Sequence, residues 1–156
     1  MQKEKVQEFQ TRIVNAGRGE LLILNYEILI AQLEDALHCL QQEEEDEFSR
    51  AMINAHKLLR ELSGGLDFSY DISKELMSIY IYVNKKFIDA SIHKSEEAVK
   101  EAIKILDVLL SGWKLVDATE DAPIIGNGQK VYAGLTYGKN KLNETTDTSY
   151  QRGFKA

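Results

Sequence analysis

The 156-residue chain has the composition of a soluble globular protein, with 44% hydrophobic and 28% charged residues. Its net charge of −6 and its pI near 5.1 argue against a protein that tracks nucleic-acid phosphates. No apolar run approaches the ~20 residues of a membrane span, and the N-terminus lacks the apolar stretch of a secretory signal. The single cysteine, Cys39, fits a reducing compartment. These features predict a soluble cytoplasmic domain without membrane insertion and without a nucleic-acid partner.

The chain has helical periodicity as far as Val116. A weakly amphipathic N-terminal segment carries Val6, Phe9 and Ile13, and glycines separate it from the first long helix. Four longer helices are predicted, and the first spans Glu20–Leu40. The second has an apolar stripe from Phe48 to Leu62 and ends at Ser63-Gly64-Gly65, and the third is capped by Asp71 or Ser73 and runs to about Ile92. The fourth starts at Ser95 and carries Trp113. Short connections favour antiparallel neighbours, so the predicted fold is all-α, an antiparallel up-down four-helix bundle.

The composition changes after the last predicted helix. We therefore predict a bundle domain over residues 1–117 and a flexible, largely irregular tail over 118–156, which holds five of the ten glycines and the only proline. The tail has one apolar-aromatic island, VYAGLTYG at 131–138. This island is either part of a spacer or a short peptide that docks on the bundle or on another protein.

Residues that could support catalysis or metal binding are sparse. Asp35 and His38 have the i, i+3 spacing of half a di-iron bundle motif, but neither His56 nor His93 has a carboxylate three positions earlier. Cys39 and His38 are adjacent on a helix and point in different directions, so a buried structural cysteine is the simpler interpretation. No phosphate loop or nucleotide fingerprint is present. The sequence predicts a protein that is not an enzyme and has no metal or cofactor.

The third predicted helix carries more apolar surface than one bundle core needs. Its core-facing stripe consists of Leu76, Ile79, Tyr80, Val83, Phe87 and Ala90. A second stripe about 60° wide, here called the Ile81 stripe, consists of Met77, Ile81, Ile88 and Ile92. The first predicted helix shows the same doubling, with a Leu24 stripe of Leu21, Leu24 and Ile28 off its main face.

Each outer stripe needs a cover. The N-terminal segment (Val6, Phe9, Ile13), the C-terminal tail or another protein could supply it. Uncovered, adjacent stripes would form a groove suited to an amphipathic helix or an extended apolar peptide. The pattern alone leaves two interpretations open, a wide core stripe or a partner groove.

The order of short motifs over roughly residues 6–116 resembles the FliS family of flagellin-specific export chaperones. The turn Ala16–Gly19 is followed by Glu20-Leu21 and Tyr26, as at the family's entry into its first long helix. Further along come Leu66-Asp67, the run Ile79–Tyr82, Phe87 with Ala90, and a last helix ending in Trp113. The chain departs from the family at Arg18, where a proline is usual.

The resemblance implies a cytoplasmic helical bundle that binds the disordered C-terminal segment of flagellin. Such chaperones prevent premature polymerisation and deliver flagellin to the flagellar type III export apparatus. On this hypothesis, the seven residues of the Leu24 and Ile81 stripes form the partner-binding site, and Val6, Phe9 and Ile13 form a movable cover. The alternative is a non-catalytic interaction or regulatory bundle that homodimerises through its outer apolar stripe.

Overall fold

In the computed structural model, which describes residues 2–118, the chain forms five α-helices. Their bounds are α1 Lys3–Asn15, α2 Arg18–Gln41, α3 Glu45–Gly64, α4 Asp71–His93 and α5 Glu96–Ala118. The weak N-terminal amphipathic segment is thus a helix of its own, and the four predicted long helices are α2 to α5. The predictions for the tail from residue 119 onward, including the island at 131–138, lie outside the described residues.

Helices α2 to α5 form the antiparallel up-down bundle that the sequence predicts. Each of α2 and α4 packs against both α3 and α5, so α2 and α4 occupy opposite corners. Side-chain pairs show the direction of the chain: the C-terminal Gln41 of α2 reaches Glu96 at the start of α5, whereas Glu27 near the start of α2 reaches Lys114 near the end of α5. The predicted fold class is therefore confirmed.

The core of the bundle is filled by apolar side chains from all four long helices. Its buried residues include Tyr26, Leu29 and Leu33 from α2, Phe48, Met52 and Leu59 from α3, Tyr80, Val83 and Phe87 from α4, and Val99, Leu106 and Trp113 from α5. Ile79 is half-buried and packs against this cluster. Burial of these side chains is the main source of bundle stability, at roughly 1.5–3 kcal/mol for each large apolar residue.

Two tyrosines join the opposite corners of the bundle through its centre. The hydroxyl groups of Tyr26 on α2 and Tyr80 on α4 are hydrogen-bonded to each other in the buried core. Burial raises the pKa of both phenols, so both stay neutral and can donate or accept this bond. Because each hydroxyl satisfies the other, neither carries the desolvation cost of an unpaired buried polar group, about 1–3 kcal/mol.

The helix ends confirm one predicted cap and correct another. Ser95 caps α5 as predicted, because its hydroxyl oxygen accepts a hydrogen bond from the Ala98 N–H at 3.1 Å. The prediction that Asp71 or Ser73 caps α4 is wrong. Tyr70 is the N-cap and makes no side-chain cap bond, while Ser73 is fully buried and donates to the Asp67 carbonyl at 2.6 Å. The hydroxyl of Ser73 therefore ties the preceding loop to the helix.

Candidate protein-binding site

The Ile81 stripe on α4 is solvent-exposed. Ile81, Ile88 and Ile92 are 51%, 44% and 67% exposed, and Met77 is half-buried. From Met77 to Ile92 the stripe spans about 22 Å at the 1.5 Å rise of an α-helix. Scattered exposed apolar residues need no explanation, but a row of them along four turns of one helix marks a candidate binding surface.

Helix α3 supplies the second wall of a groove beside the Met77–Ile81 part of this stripe. The groove has a volume of about 330 Å³, and it is lined by Leu59, Arg60 and Ser63 of α3 and by Met77, Tyr80, Ile81 and Asn84 of α4. Beyond the groove, one turn before His56 on α3, lies Ile53, which is 55% exposed. Since α3 and α4 run antiparallel, this isoleucine lies level with the Ile88 part of the stripe.

The sequence does not predict the contribution of α3 to the site. The stripe from Phe48 to Leu62 accounts for the core face of this helix, and Ile53 falls outside that stripe. The one feature of the sequence that could have indicated this contribution is an isoleucine, Ile53, on the polar face of an otherwise regular amphipathic helix. A sequence pattern does not show which helices are neighbours in the bundle. In the structure, this face of α3 lies beside the Ile81 stripe and not beside α2.

A half-buried histidine of α3, His56, lies beside the groove and contacts α4. The ring of His56 packs edge-on against Phe87 with 5.3 Å between ring centroids, and its side chain is hydrogen-bonded to Asn84. Burial, and secondly the positive charge of Arg60, lower the pKa of this imidazole, although the Asn84 bond acts in the opposite direction. The ring is therefore neutral at physiological pH and serves as an apolar surface with one polar edge.

The Leu24 stripe on α2 is covered, in contrast to the Ile81 stripe. Leu24 is fully buried in a small cluster with Phe9 of α1 and Ala31, and Ile28 packs against the same cluster. Leu21 is half-buried. Of the predicted cover residues, Phe9 is 7% exposed, whereas Val6 and Ile13 are 37% and 42% exposed and lie at the edge of the contact. The N-terminal helix, one of the three covers that the sequence allows, occupies this surface.

An ion cluster holds α1 beside the bundle. The Glu27 carboxylate of α2 forms one ion pair with Arg12 of α1 at 2.8 Å and another with Lys114 of α5 at 3.3 Å. Glu27 is mostly buried, with 19% of its side chain exposed, so these pairs are less screened than pairs on an open surface. Arg12 also lies 4.0 Å from the Glu20 carboxylate of α2, so α1 is anchored by the buried Phe9 side chain and by ion pairs of Arg12.

The two stripes do not form one continuous groove. They lie on α2 and α4, which occupy opposite corners of the bundle and meet only through inner residues such as Tyr26 and Tyr80. The seven predicted partner-binding residues therefore lie on two separate surfaces, because α3 and α5 stand between α2 and α4. Whether either stripe binds a partner stays a prediction.

The other candidates for chemistry are the single cysteine and the potential metal ligands. Cys39 is a buried free cysteine, as the sequence suggests, and burial followed by Asp35 and nearby glutamates raises the pKa of its thiol. A protonated, buried thiol is a poor nucleophile. Residues 2–118 contain no group of three or more His, Cys, Asp or Glu side chains arranged to hold a metal ion. No helix within that range is long and apolar enough to cross a membrane.

Comparison with known proteins agrees with this architecture. The family model described as flagellar protein FliS matches residues 1–120, which include all five helices and both outer stripes. No curated protein sequence matches the chain. A match over 120 of 156 residues is sufficient to assign the family. The chain therefore belongs to the FliS family of flagellar chaperones.

Proposed function

We propose that this protein is a cytoplasmic, non-catalytic chaperone that binds the disordered C-terminal segment of flagellin. By holding that segment it prevents premature polymerisation, and it delivers flagellin to the flagellar type III export apparatus. The observation that carries the proposal is the exposed Ile81 stripe beside α3 in a chain that belongs to the FliS family. A bundle that presents such a groove can stabilise an apolar segment that would otherwise associate with other flagellin molecules.

The Leu24 stripe and α1 form a second part of the proposed site. Its apolar residues are accessible only when α1 moves, and the anchoring of α1 by Phe9 and Glu27 is limited enough for displacement. A flagellin segment that passes over both corners of the bundle would replace the contacts of Phe9 with its own. The net free energy of that exchange is small, because one apolar cover substitutes for another.

The test is binding of a flagellin C-terminal peptide to the variant Ile81→Asp. We expect the variant to lose at least tenfold in affinity by calorimetry, because a carboxylate replaces an apolar contact in the groove, while helical circular dichroism stays unchanged. Val108→Asp is the matched control, since Val108 of α5 is 66% exposed and lies outside the groove. If both variants bind like the parent protein, the Ile81 stripe is not the client site.

Light scattering in the same samples tests the alternative homodimer. The chaperone hypothesis predicts a one-to-one complex that forms when the peptide is added. A dimer that persists on dilution, ignores the peptide and dissociates in Ile81→Asp would instead assign the stripe to self-association.

A further inference from the structure

Four exposed cationic side chains, here called the groove cations, lie on the two helices that form the groove. They are Lys57 and Arg60 on α3 and Lys74 and Lys85 on α4. Arg60 lines the groove itself, Lys85 follows the lining residue Ile81 by one helical turn, and Lys74 precedes the lining residue Met77 by three residues. The groove therefore has one cation in its wall and others on the same two helices.

These four cations are not neutralised by carboxylates of the bundle. Among residues 2–118, other basic side chains do pair with carboxylates, namely Arg12, Arg50, Lys86, Lys100 and Lys114. No such pair involves any of the four groove cations within that range. Asp89, which follows Lys85 by one helical turn, shares a hydrogen bond with His93 at 2.7 Å.

The residues that line the groove carry one positive charge, on Arg60, and no negative charge, in a protein whose net charge is −6. The charge of Arg60 also contributes to lowering the pKa of His56, whose side chain is hydrogen-bonded to the lining residue Asn84. Cations without nearby carboxylates repel one another, and a negatively charged ligand offsets this repulsion. The protein has 25 acidic side chains, yet none of the residues that line the groove is acidic.

We propose that the groove selects an acidic amphipathic helix of about four turns, which places its apolar face on Ile81, Ile88 and Ile92 and its carboxylates beside Arg60 and Lys85. The inference rests on the proposed function for the location of the site and adds the chemistry of the ligand. Burial of apolar surface provides most of the affinity. The cations fix the position of the bound helix along the groove and disfavour the binding of basic helices.

Other occupants fit the groove less well. The tail from residue 119 to 156 contains four acidic and five basic residues, so it lacks the charge that would complement the cations. A second copy that used the same face would bring the two sets of cations together, and like charges in an interface are unfavourable. Charge complementarity therefore favours a separate acidic partner segment.

The test uses three synthetic 16-residue amphipathic peptides with identical apolar faces and with flanks of glutamate, glutamine or lysine. For the full-length protein at low salt (about 0.05 M), we expect the glutamate peptide to bind on the order of tenfold more tightly than the glutamine peptide, and the lysine peptide most weakly. The advantage should shrink to about twofold near 1 M salt, where the Debye length is about 3 Å. Equal affinities for all three peptides would overturn the inference.

Charge-reversed variants locate the effect. Arg60→Glu combined with Lys85→Glu should invert the preference, so that the lysine peptide binds more tightly than the glutamate peptide. Lys85→Glu alone should weaken the glutamate peptide several-fold, whereas the matched control Lys104→Glu, an exposed lysine on α5, should leave it unchanged. A loss of equal size in Lys104→Glu would mean that only overall charge matters, and the inference would fail.

Two further outcomes separate this inference from the proposed function. If a flagellin C-terminal peptide binds in the groove with an affinity that none of these charge changes alters, the proposed function stands and the inference is wrong. If the acidic peptide binds with the expected charge dependence and the flagellin peptide does not bind, the inference stands and the proposed function fails. Binding to anionic lipid vesicles without preference among the peptides would assign the groove to a membrane surface and overturn the inference.

Discussion

The Leu24 stripe of α2 and the Ile81 stripe of α4 have the same sequence pattern and different environments. Each is a short apolar row beside the main core face of a long bundle helix. Leu24 is fully buried beneath Phe9 of α1, whereas Ile81 is 51% exposed. The difference shows that an outer stripe does not determine its own cover. The cover depends on which other segment the fold brings to that corner of the bundle.

Chain connectivity explains why α1 covers α2. Only Ala16 and Gly17 separate α1 from α2, so α1 folds back antiparallel onto the nearest face of its neighbour. Within residues 2–118, no helix packs over the Ile81 stripe in the same way. The covered stripe therefore contributes to stability, whereas the open stripe is exposed to solvent.

The sharpest test places the same charge on each stripe. Leu24→Asp should lower the free energy of unfolding by about 3 kcal/mol, because the change removes a buried leucine and introduces a charge beneath α1. Ile81→Asp should change it by less than about 0.5 kcal/mol, since the side chain is exposed and lies near the positive charges of Arg60 and Lys85. Urea unfolding followed by circular dichroism measures both. Equal destabilisation would show that the Ile81 stripe is also part of the core.

A second variant should expose the covered Leu24 stripe by weakening the docking of α1. Phe9→Ala removes the one buried side chain of α1 and should weaken the docking of α1 by about 2 kcal/mol, the value of burying one large apolar side chain. Amide hydrogen exchange should then rise across α1 and stay slow in α3 and α5. Val14→Ala, at an 82% exposed position of the same helix, is the control and should change neither. If exchange in α1 is unaffected by Phe9→Ala, the ion pair with Glu27 is sufficient to hold the helix.

The smallest expected effect concerns His56, beside the open groove. The pKa of His56 is lowered in the folded protein, so between pH 6.5 and that lower value the unfolded chain binds more protons. Stability should therefore fall as the pH is reduced below about 6.5, and the variant His56→Gln should lose this part of the dependence. Because the ring is only half-buried, solvent screening should limit the effect to less than about 1 kcal/mol.

Urea unfolding at about pH 7.5 and about pH 5 measures this difference. His38→Gln is the control, because His38 is exposed on α2. A pH dependence that is identical in the parent protein and in His56→Gln would show that the groove does not shield this ring from solvent.

Much of the fold follows from local patterns that the sequence displays. The 3.6-residue periodicity predicts α2 to α5, and the Ser95 hydroxyl predicts the start of α5 because it caps a free N–H. The cap of α4 is not predictable in this way. Ser73 resembles a capping residue, yet tertiary packing buries it and its hydroxyl bonds to the Asp67 carbonyl of the preceding loop.

The candidate site could be predicted only in part. The sequence identifies the Ile81 stripe, because surplus apolar surface on a helix is visible from spacing alone. It does not identify the contribution of α3, since Ile53 and Arg60 come to lie beside this stripe only through the neighbouring position of α3 and α4. The charge of the groove is hidden for the same reason, because Arg60 lies in its wall without an acidic lining residue although the chain as a whole is acidic.

The antiparallel helical bundle and its two outer apolar stripes are predictable from the sequence, because periodicity and short connections are local properties. The tertiary packing is needed to show that the Leu24 stripe is covered and the Ile81 stripe is open. It also placed the two stripes at opposite corners. Which surfaces meet depends on how helices pack around a shared core, and the identity of individual residues along the chain does not specify that order.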